Sequence, residues 1–322
     1  MKKEYLILIV IIAGLSAYLT LKKDDRVHYE LPVMTALDTK AIDRVDITRG
    51  DTALTLSKGD KGWTVTEEKY PVDQTAMENI LSAVKELKLS ALVSEAGDKI
   101  RYELDAERAI RVNAWAGNTE KRSFIIGKTA PSFNHTFIML KDDGKIYQAD
   151  NSFRNDFAKN VDDIRDKLVL SFETETIKKI TLEKDGVTRT LVLNAPAPSG
   201  EDKTENPGEA KGAWLYDDGA PADKTAAEDL LSSLSHLECQ SYLNPAEAEA
   251  IEKETAQCKI SLENGSTLSL NLFEKAKGES VAGLSSSTPY AFALDSYKAK
   301  DIVSYADKLL GLEKKDAEAD KK

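Results

Sequence analysis

Cysteine and histidine are nearly missing from this chain: its 322 residues carry two of the first and three of the second. A zinc site needs three or four converging nitrogen or sulfur ligands. His28, His135 and His236 stand far apart, with no His-x-x-x-His or Glu-x-x-His spacing, so no metal is expected. The acidic turn at Asp142–Gly144 has too few ligands for calcium. Glycine is sparse where phosphate loops need it: Gly59 and Gly62 fall in a hairpin turn, not before a helix. A Gly-x-Ser-x-Gly elbow is lacking as well. No cofactor and no catalytic residue are expected, and the chain reads as non-enzymatic.

Positive charge is also short. Lys and Arg number 44 against 55 Asp and Glu, a net charge of −11. Nucleic-acid binding needs a basic face to displace phosphate counterions, so that class is disfavoured. The two cysteines, Cys239 and Cys258, fit neither a redox pair nor a zinc ribbon. They form one disulfide if the compartment is oxidising, or else two buried thiols. Closing that loop would contribute about 3 kcal/mol.

The chain has one long apolar run, Tyr5 to Leu21, between lysine pairs at Lys2-Lys3 and Lys22-Lys23. Its length sits at the lower limit of about 17 residues for a membrane-spanning helix. Three readings compete: an uncleaved N-terminal transmembrane anchor over residues 1–25, a cleaved signal peptide, and a buried core helix. Leu15 spoils the best small-x-small cleavage match, which favours the anchor. A short anchor followed by one large soluble region places that region in the periplasm of a bacterium, on a single-pass inner-membrane protein.

The soluble region repeats itself. "YPVDQTAMENILSAVKELKL", Tyr70 to Leu89, and "APADKTAAEDLLSSLSHLEC", Ala220 to Cys239, agree at eight of twenty positions. Each has a proline, an aspartate N-cap and an apolar stripe at spacings of three and four. The stripes are Met77, Ile80, Leu81, Val84, Leu87 and Ala227, Leu230, Leu231, Leu234, Leu237. Strand-like alternation flanks both helices, and Trp214 answers Trp63. A helical segment closes each copy, Phe153–Leu168 and Tyr297–Leu310.

The expected fold class is therefore α+β: an N-terminal membrane anchor followed by two duplicated units, each a mainly antiparallel sheet with a packed amphipathic helix. The units span 26–170 and 171–312. Residues 195–212 form a mobile loop within the second, and 313–322 a disordered charged tail.

"IDRVDITR" (Ile42–Arg49), "GWTVTE" (Gly62–Glu67), "PVDQTAMENIL" (Pro71–Leu81), "FIIGKTAP" (Phe124–Pro131) and "TFIMLKDDGKIYQAD" (Thr136–Asp150) together resemble an uncharacterised bacterial family, domain of unknown function 4340 (DUF4340). The second copy lacks a clean match to Phe124–Pro131. The resemblance implies an N-terminal anchor followed by such units. It also implies an accessory role beside an ABC-type transport system of the gliding-motility kind. It carries over no site residue.

The best polar cluster is "GKTAPSFNHTF", Gly127 to Phe137, where Ser132, Asn134, His135 and Thr136 sit between strands as candidate ligand or partner contacts. A Ser–His pair is nucleophilic only with an orienting acid and an oxyanion site, neither visible in the sequence. Asp150 and Asp295 read as N-caps of the closing helices. The leading functional reading is a membrane-anchored extracytoplasmic interaction or scaffold module, with a protein partner in the envelope. A ligand-binding module for glycan, peptide or lipid, using a cleft between the units with Tyr70, Tyr216 or Tyr242 as aromatic contacts, is the alternative. An envelope hydrolase is the remote one.

Overall fold

The computed structural model describes residues 11–18, 29–66, 69–95, 97–194, 212–273 and 280–312. Most of the expected anchor, nearly all of the expected loop at 195–212 and the charged tail lie outside these. The chain is α+β and divides into two compact units, Met1–Arg165 and Asp166–Lys322.

In unit 1, helix α1 (residues 11–18) is wholly solvent-facing, with Ile11, Ile12, Leu15 and Tyr18 exposed. No described helix is long and apolar enough to cross a membrane. Strands β1 (Arg44–Arg49), β2 (Thr52–Gly59), β3 (Gly62–Val65) and β4 (Tyr70–Pro71) lead to helix α2 (Gln74–Lys85). Strands β5 (Leu89–Ser94), β6 (Ile110–Ala116), β7 (Thr119–Thr129), β8 (His135–Leu140) and β9 (Ile146–Asp150) follow. They form one nine-stranded sheet ordered β4-β3-β2-β1-β6-β7-β8-β9-β5, antiparallel at every pairing.

In unit 2, β10 (Leu168–Ser171) precedes β11 (Lys179–Lys184), β12 (Val187–Asn194), β13 (Ala213–Tyr216) and helix α5 (Lys224–Leu234). Then come β14 (His236–Glu238), β15 (Ser241–Tyr242), helix α6 (Pro245–Glu252), β16 (Cys258–Glu263), β17 (Thr267–Phe273), β18 (Ser280–Ser285), β19 (Thr288–Asp295) and helix α7 (Ser296–Leu310). Its eight-stranded sheet runs β13-β12-β11-β16-β17-β18-β19-β15. Taken in chain order, this is the sequence of neighbours of unit 1. A bridge between Leu215 and Pro221 stands where β3 meets β4.

The local reasons for these elements are plain. The Asp73 carboxylate accepts the amide of Ala76 at 2.7 Å, and Asp223 accepts that of Ala226 at 3.0 Å. Each removes an orphan donor from a first turn. Ala76, Met77, Ile80 and Val84 are buried on α2; Ala226, Ala227, Leu230, Leu231 and Leu234 are buried on α5. Burying one large side chain of this kind contributes about 1.5–3 kcal/mol. The β11–β12 hairpin turns at Asp185 (φ 51°) and Gly186 (φ 78°), the left-handed pair that matches strand twist.

Trp63 and Trp214 hold the same register, opposite Lys58 on β2 and Leu193 on β12. Their burial differs: Trp214 is 5% exposed and Trp63 only half-buried. Alternation along the strands also gives each sheet a second, smaller apolar face. In unit 1 it holds Leu104, Phe137 and Met139; in unit 2 it holds Ile251, Phe273 and Ala282. Helix α6 supplies Ile251 and was not anticipated, although Asn244, Pro245 and Glu247 spell a capping box with proline at the first turn.

One closing segment differs from expectation. Phe153–Leu168 is not a single helix but two short ones, α3 (Arg154–Phe157) and α4 (Val161–Ile164). Asn160 is extended between them and makes a reciprocal capping box with Asp163, which restarts the helix. In unit 2 the corresponding segment is the continuous α7, stopped by Gly311 at φ 74°.

Candidate functional site

The candidate cluster forms the tip of the β7–β8 hairpin. Its base is fixed from two sides. Arg154 at the start of α3 donates to the carbonyls of Ile126 (3.3 Å) and Gly127 (2.6 Å) and to Arg108 O (2.9 Å). Burial pulls this guanidinium below its ordinary value, partly offset by Glu103. Gly127 lies so close to the 102–104 segment that a Cβ would meet Tyr102 O at 2.3 Å. At the tip, Ala130 N donates to His135 O and Phe133 N to Ala130 O. Phe133 takes a left-handed φ of 61° and is 78% exposed.

The four candidates then separate. Ser132 Oγ lies 2.9 Å from His135 Nδ1. His135 pairs across the sheet with Asp150, and its Nε2 is 3.8 Å from Asp150 Oδ1. Lys88 Nζ stands 3.4 Å from the other oxygen of Asp150. The sheet thus supplies the acid that the sequence did not reveal, as a row Ser132–His135–Asp150–Lys88. Thr136 points the other way and is buried. Its hydroxyl donates to Asn151 O at 2.9 Å and accepts from Phe153 N at 3.3 Å. Asn134 is exposed at the tip.

What this row can do follows from its geometry. The tautomer with hydrogen on Nε2 suits both contacts of His135. However, 3.8 Å is too long for a hydrogen bond, and Ser132 is open to water. A cavity of about 180 Å³ lies between α2 and residues 150–156. It is lined by Glu86, Asp150 and Asp156, among others, and not by Ser132 or His135. Burial raises the Asp156 carboxyl above its ordinary value, with Lys159 opposing. The row therefore links the hairpin tip to β9.

Residues 63–256, more than half of the chain, match the family described as Domain of unknown function (DUF4340). The chain belongs to that family. The comparisons with curated proteins and with solved structures find no match. The DUF4340 segment begins on β3 and ends after α6, so it crosses from unit 1 into unit 2 and contains the whole hairpin tip.

Other expectations meet the DUF4340 structure as follows. Cys239 and Cys258 are not a disulfide; both are buried thiols in one apolar cluster. Burial pushes the Cys258 thiol up to about 11. Asp150 does not cap α3, whose N-cap is Phe153, while Asp295 does cap α7 through the amides of Tyr297 and Lys298. The three tyrosines are packed: Tyr70 lies under Arg165 at 3.7 Å, Tyr216 donates to Leu309 O, and Tyr242 donates to Asp166 O. Among the described residues, no group of three or more His, Cys, Asp or Glu is arranged to hold a metal ion.

Two arginines that sequence reasoning passed over prove structural. Besides Arg154, Arg122 is 6% exposed and donates to the carbonyls of Val84, Lys85 and Thr35. A cation there neutralises the negative end of the α2 dipole. No spacing rule marks such a residue, because its partners lie on other elements.

Proposed function

We propose that this member of the DUF4340 family is a non-enzymatic, membrane-anchored extracytoplasmic interaction module built from two duplicated units. The observation that carries the reading is α1: an apolar helical stretch whose Ile11, Ile12 and Leu15 side chains are more than half exposed. Lipid is the natural cover for such a surface, and in the sequence these residues lie within the apolar run Tyr5–Leu21. The two antiparallel sheets with one order of neighbours support a duplicated recognition scaffold. A partner in the envelope, such as the subunits of an ABC-type transporter, fits a module of this build.

Two experiments test it. Alkaline phosphatase fused after Leu312 should be active if the region is exported, whereas an active cytoplasmic reporter at that point would overturn the topology. Purification from gently solubilised native membranes should recover a reproducible partner; recovery of the chain alone would remove the interaction reading. A hydrolytic role draws only on the Ser132–His135–Asp150 row. It would require that Ser132→Ala abolish a measured esterase or amidase activity.

A further inference from the structure

The two units differ in how their first segment is fastened. A one-turn 3₁₀ helix precedes the first long strand of each, Thr39–Ala41 before β1 and Thr174–Thr176 before β11. The segment ahead of it is 31–37 in unit 1 and 166–172 in unit 2. In unit 2 that segment contains β10, which is zipped to β14 just past α5. Leu170 pairs with Leu237, Phe172 N donates to Ser235 O at 3.0 Å, and Cys239 N donates to Lys167 O at 2.9 Å. Val169 and Leu170 are buried there. In unit 1, residues 31–37 form no strand and none of them is buried. Among the described residues, no backbone hydrogen bond joins them to the segment after α2.

Arg122 stands in for the missing ladder. Counted from the Asp73 and Asp223 caps, Lys85 O corresponds to Ser235 O, the carbonyl that Phe172 N takes in unit 2. In unit 1, Arg122 takes it at 3.2 Å and also donates to Thr35 O on the segment itself. The strand registers put Leu268 at the position of Arg122 in unit 2. Leu31, Met34 and Leu37 pack half-buried against the unit 1 core. A groove of about 500 Å³ lies between the segment and Glu120, Ser123 and Leu140 of β7 and β8. What holds 31–37 down is therefore a guanidinium grip and partly covered side chains. A segment with so few buried contacts and no ladder opens locally at low cost.

We infer that residues 31–37 are a releasable strap, locked by Arg122, which sets how far the soluble region stands from the membrane. From Leu21, the end of the apolar run, the chain spans at most about 35 Å to a docked Leu31. Released back to Asp38, which caps the 3₁₀ turn, it spans at most about 60 Å. The docked strap holds unit 1 near the bilayer. The released strap lets the same unit search a wider shell for its partner. This inference rests on the anchored reading above and adds a control on its reach.

The test is native-state proteolysis of the full chain in a neutral detergent. Thermolysin cuts at apolar residues, and mass spectrometry times each cut. Where reclosing outpaces cutting, the rate reports the open population. Cutting within 31–37 should be at least about tenfold faster than within β10, which its backbone bonds protect. Arg122→Leu should speed the strap cut at least about tenfold, the weight of one lost charged hydrogen bond, and leave cutting in β6 unchanged. Met34→Ala should speed it at least about threefold. Thermal midpoints establish that the variants are folded, and Met34→Ala, which alters no polar contact, serves if Arg122→Leu is not. A strap cut no faster than β10, or a rate unmoved by the folded variants, would overturn the lock. So would Met34→Ala if it sped the cut in β6 equally, since unit 1 would then be opening as a whole. The phosphatase fusion separates the two readings. An active fusion with an unresponsive strap removes only the strap; an inactive fusion with a responsive strap removes only the topology.

Discussion

Lys184 Nζ lies 2.6 and 2.7 Å from the two carboxylate oxygens of Asp307, tying the middle of the unit 2 sheet to the last turns of α7. Arg49 holds the equivalent position in unit 1 and donates to Ala158 O at the end of α3. A cation at the end of the first strand thus clamps the closing helix in both units. The Lys184 side chain is only 11% exposed, so removing one partner strands a poorly hydrated charge. Asp307→Asn should lower unfolding stability by about 1–3 kcal/mol, read as a shift in urea midpoint without a change in slope.

Asp223 should make unit 2 sensitive to acid. The Lys308 ammonium 2.9 Å away, followed by the Ala226 amide, holds its carboxyl below the ordinary aspartate range. A carboxyl with a depressed folded-state pKa stabilises above its unfolded value, and that stability is lost as pH falls through the folded one. Asp223→Ala should cost about 1 kcal/mol at neutral pH through the lost cap. The variant and the parent should converge in thermal midpoint below the ordinary aspartate range.

Thr136 and Ser132 stand four residues apart and should behave oppositely. Thr136→Val leaves Asn151 O and Phe153 N without the hydroxyl, a loss of about 1–3 kcal/mol by chemical denaturation. Ser132→Ala removes one exposed bond and should change stability by less than about 0.5 kcal/mol. A large loss in the serine variant would mean the tip is more tightly coupled to the sheet than its exposure indicates.

The thiols give a direct check on the core. Cys258 is fully buried, and its raised pKa of about 11 leaves little thiolate at neutral pH. A maleimide-type or disulfide reagent should modify Cys239 and Cys258 slowly in the native chain and rapidly in denaturant. Thermal midpoints with and without reductant should coincide, since no disulfide constrains the fold.

The helices were legible in the sequence because their causes are local. The Asp73 and Asp223 caps and the stripes behind them needed no knowledge of the rest of the chain. The Asp150 cap failed for the same reason: a local rule assigned it to the next helix, while the competing partner, His135, came from the neighbouring strand. That partnership was within reach, since folding the hairpin about Asp142–Gly144 sets His135 opposite Asp150. The order of neighbours in each sheet was not legible, because pairing β5 with β9 joins segments far apart in sequence. The lengths of α3 and α4 were misjudged where apolar spacing outweighed the Asn160 cap.

The far-edge strand has a consequence for how each unit comes into being. β5 leaves α2 and finds no partner among the strands already made; it pairs only with β9, the last of its sheet. β15 waits for β19 in the same way. Such closure through distant segments delays folding relative to a simple meander. A chain that has emerged only as far as β8 or β18 carries an open edge, ready to pair with a stranger. The final hairpin of each unit is therefore the step that commits it, and a chain interrupted just before Ile146 or Thr288 should be the form that aggregates.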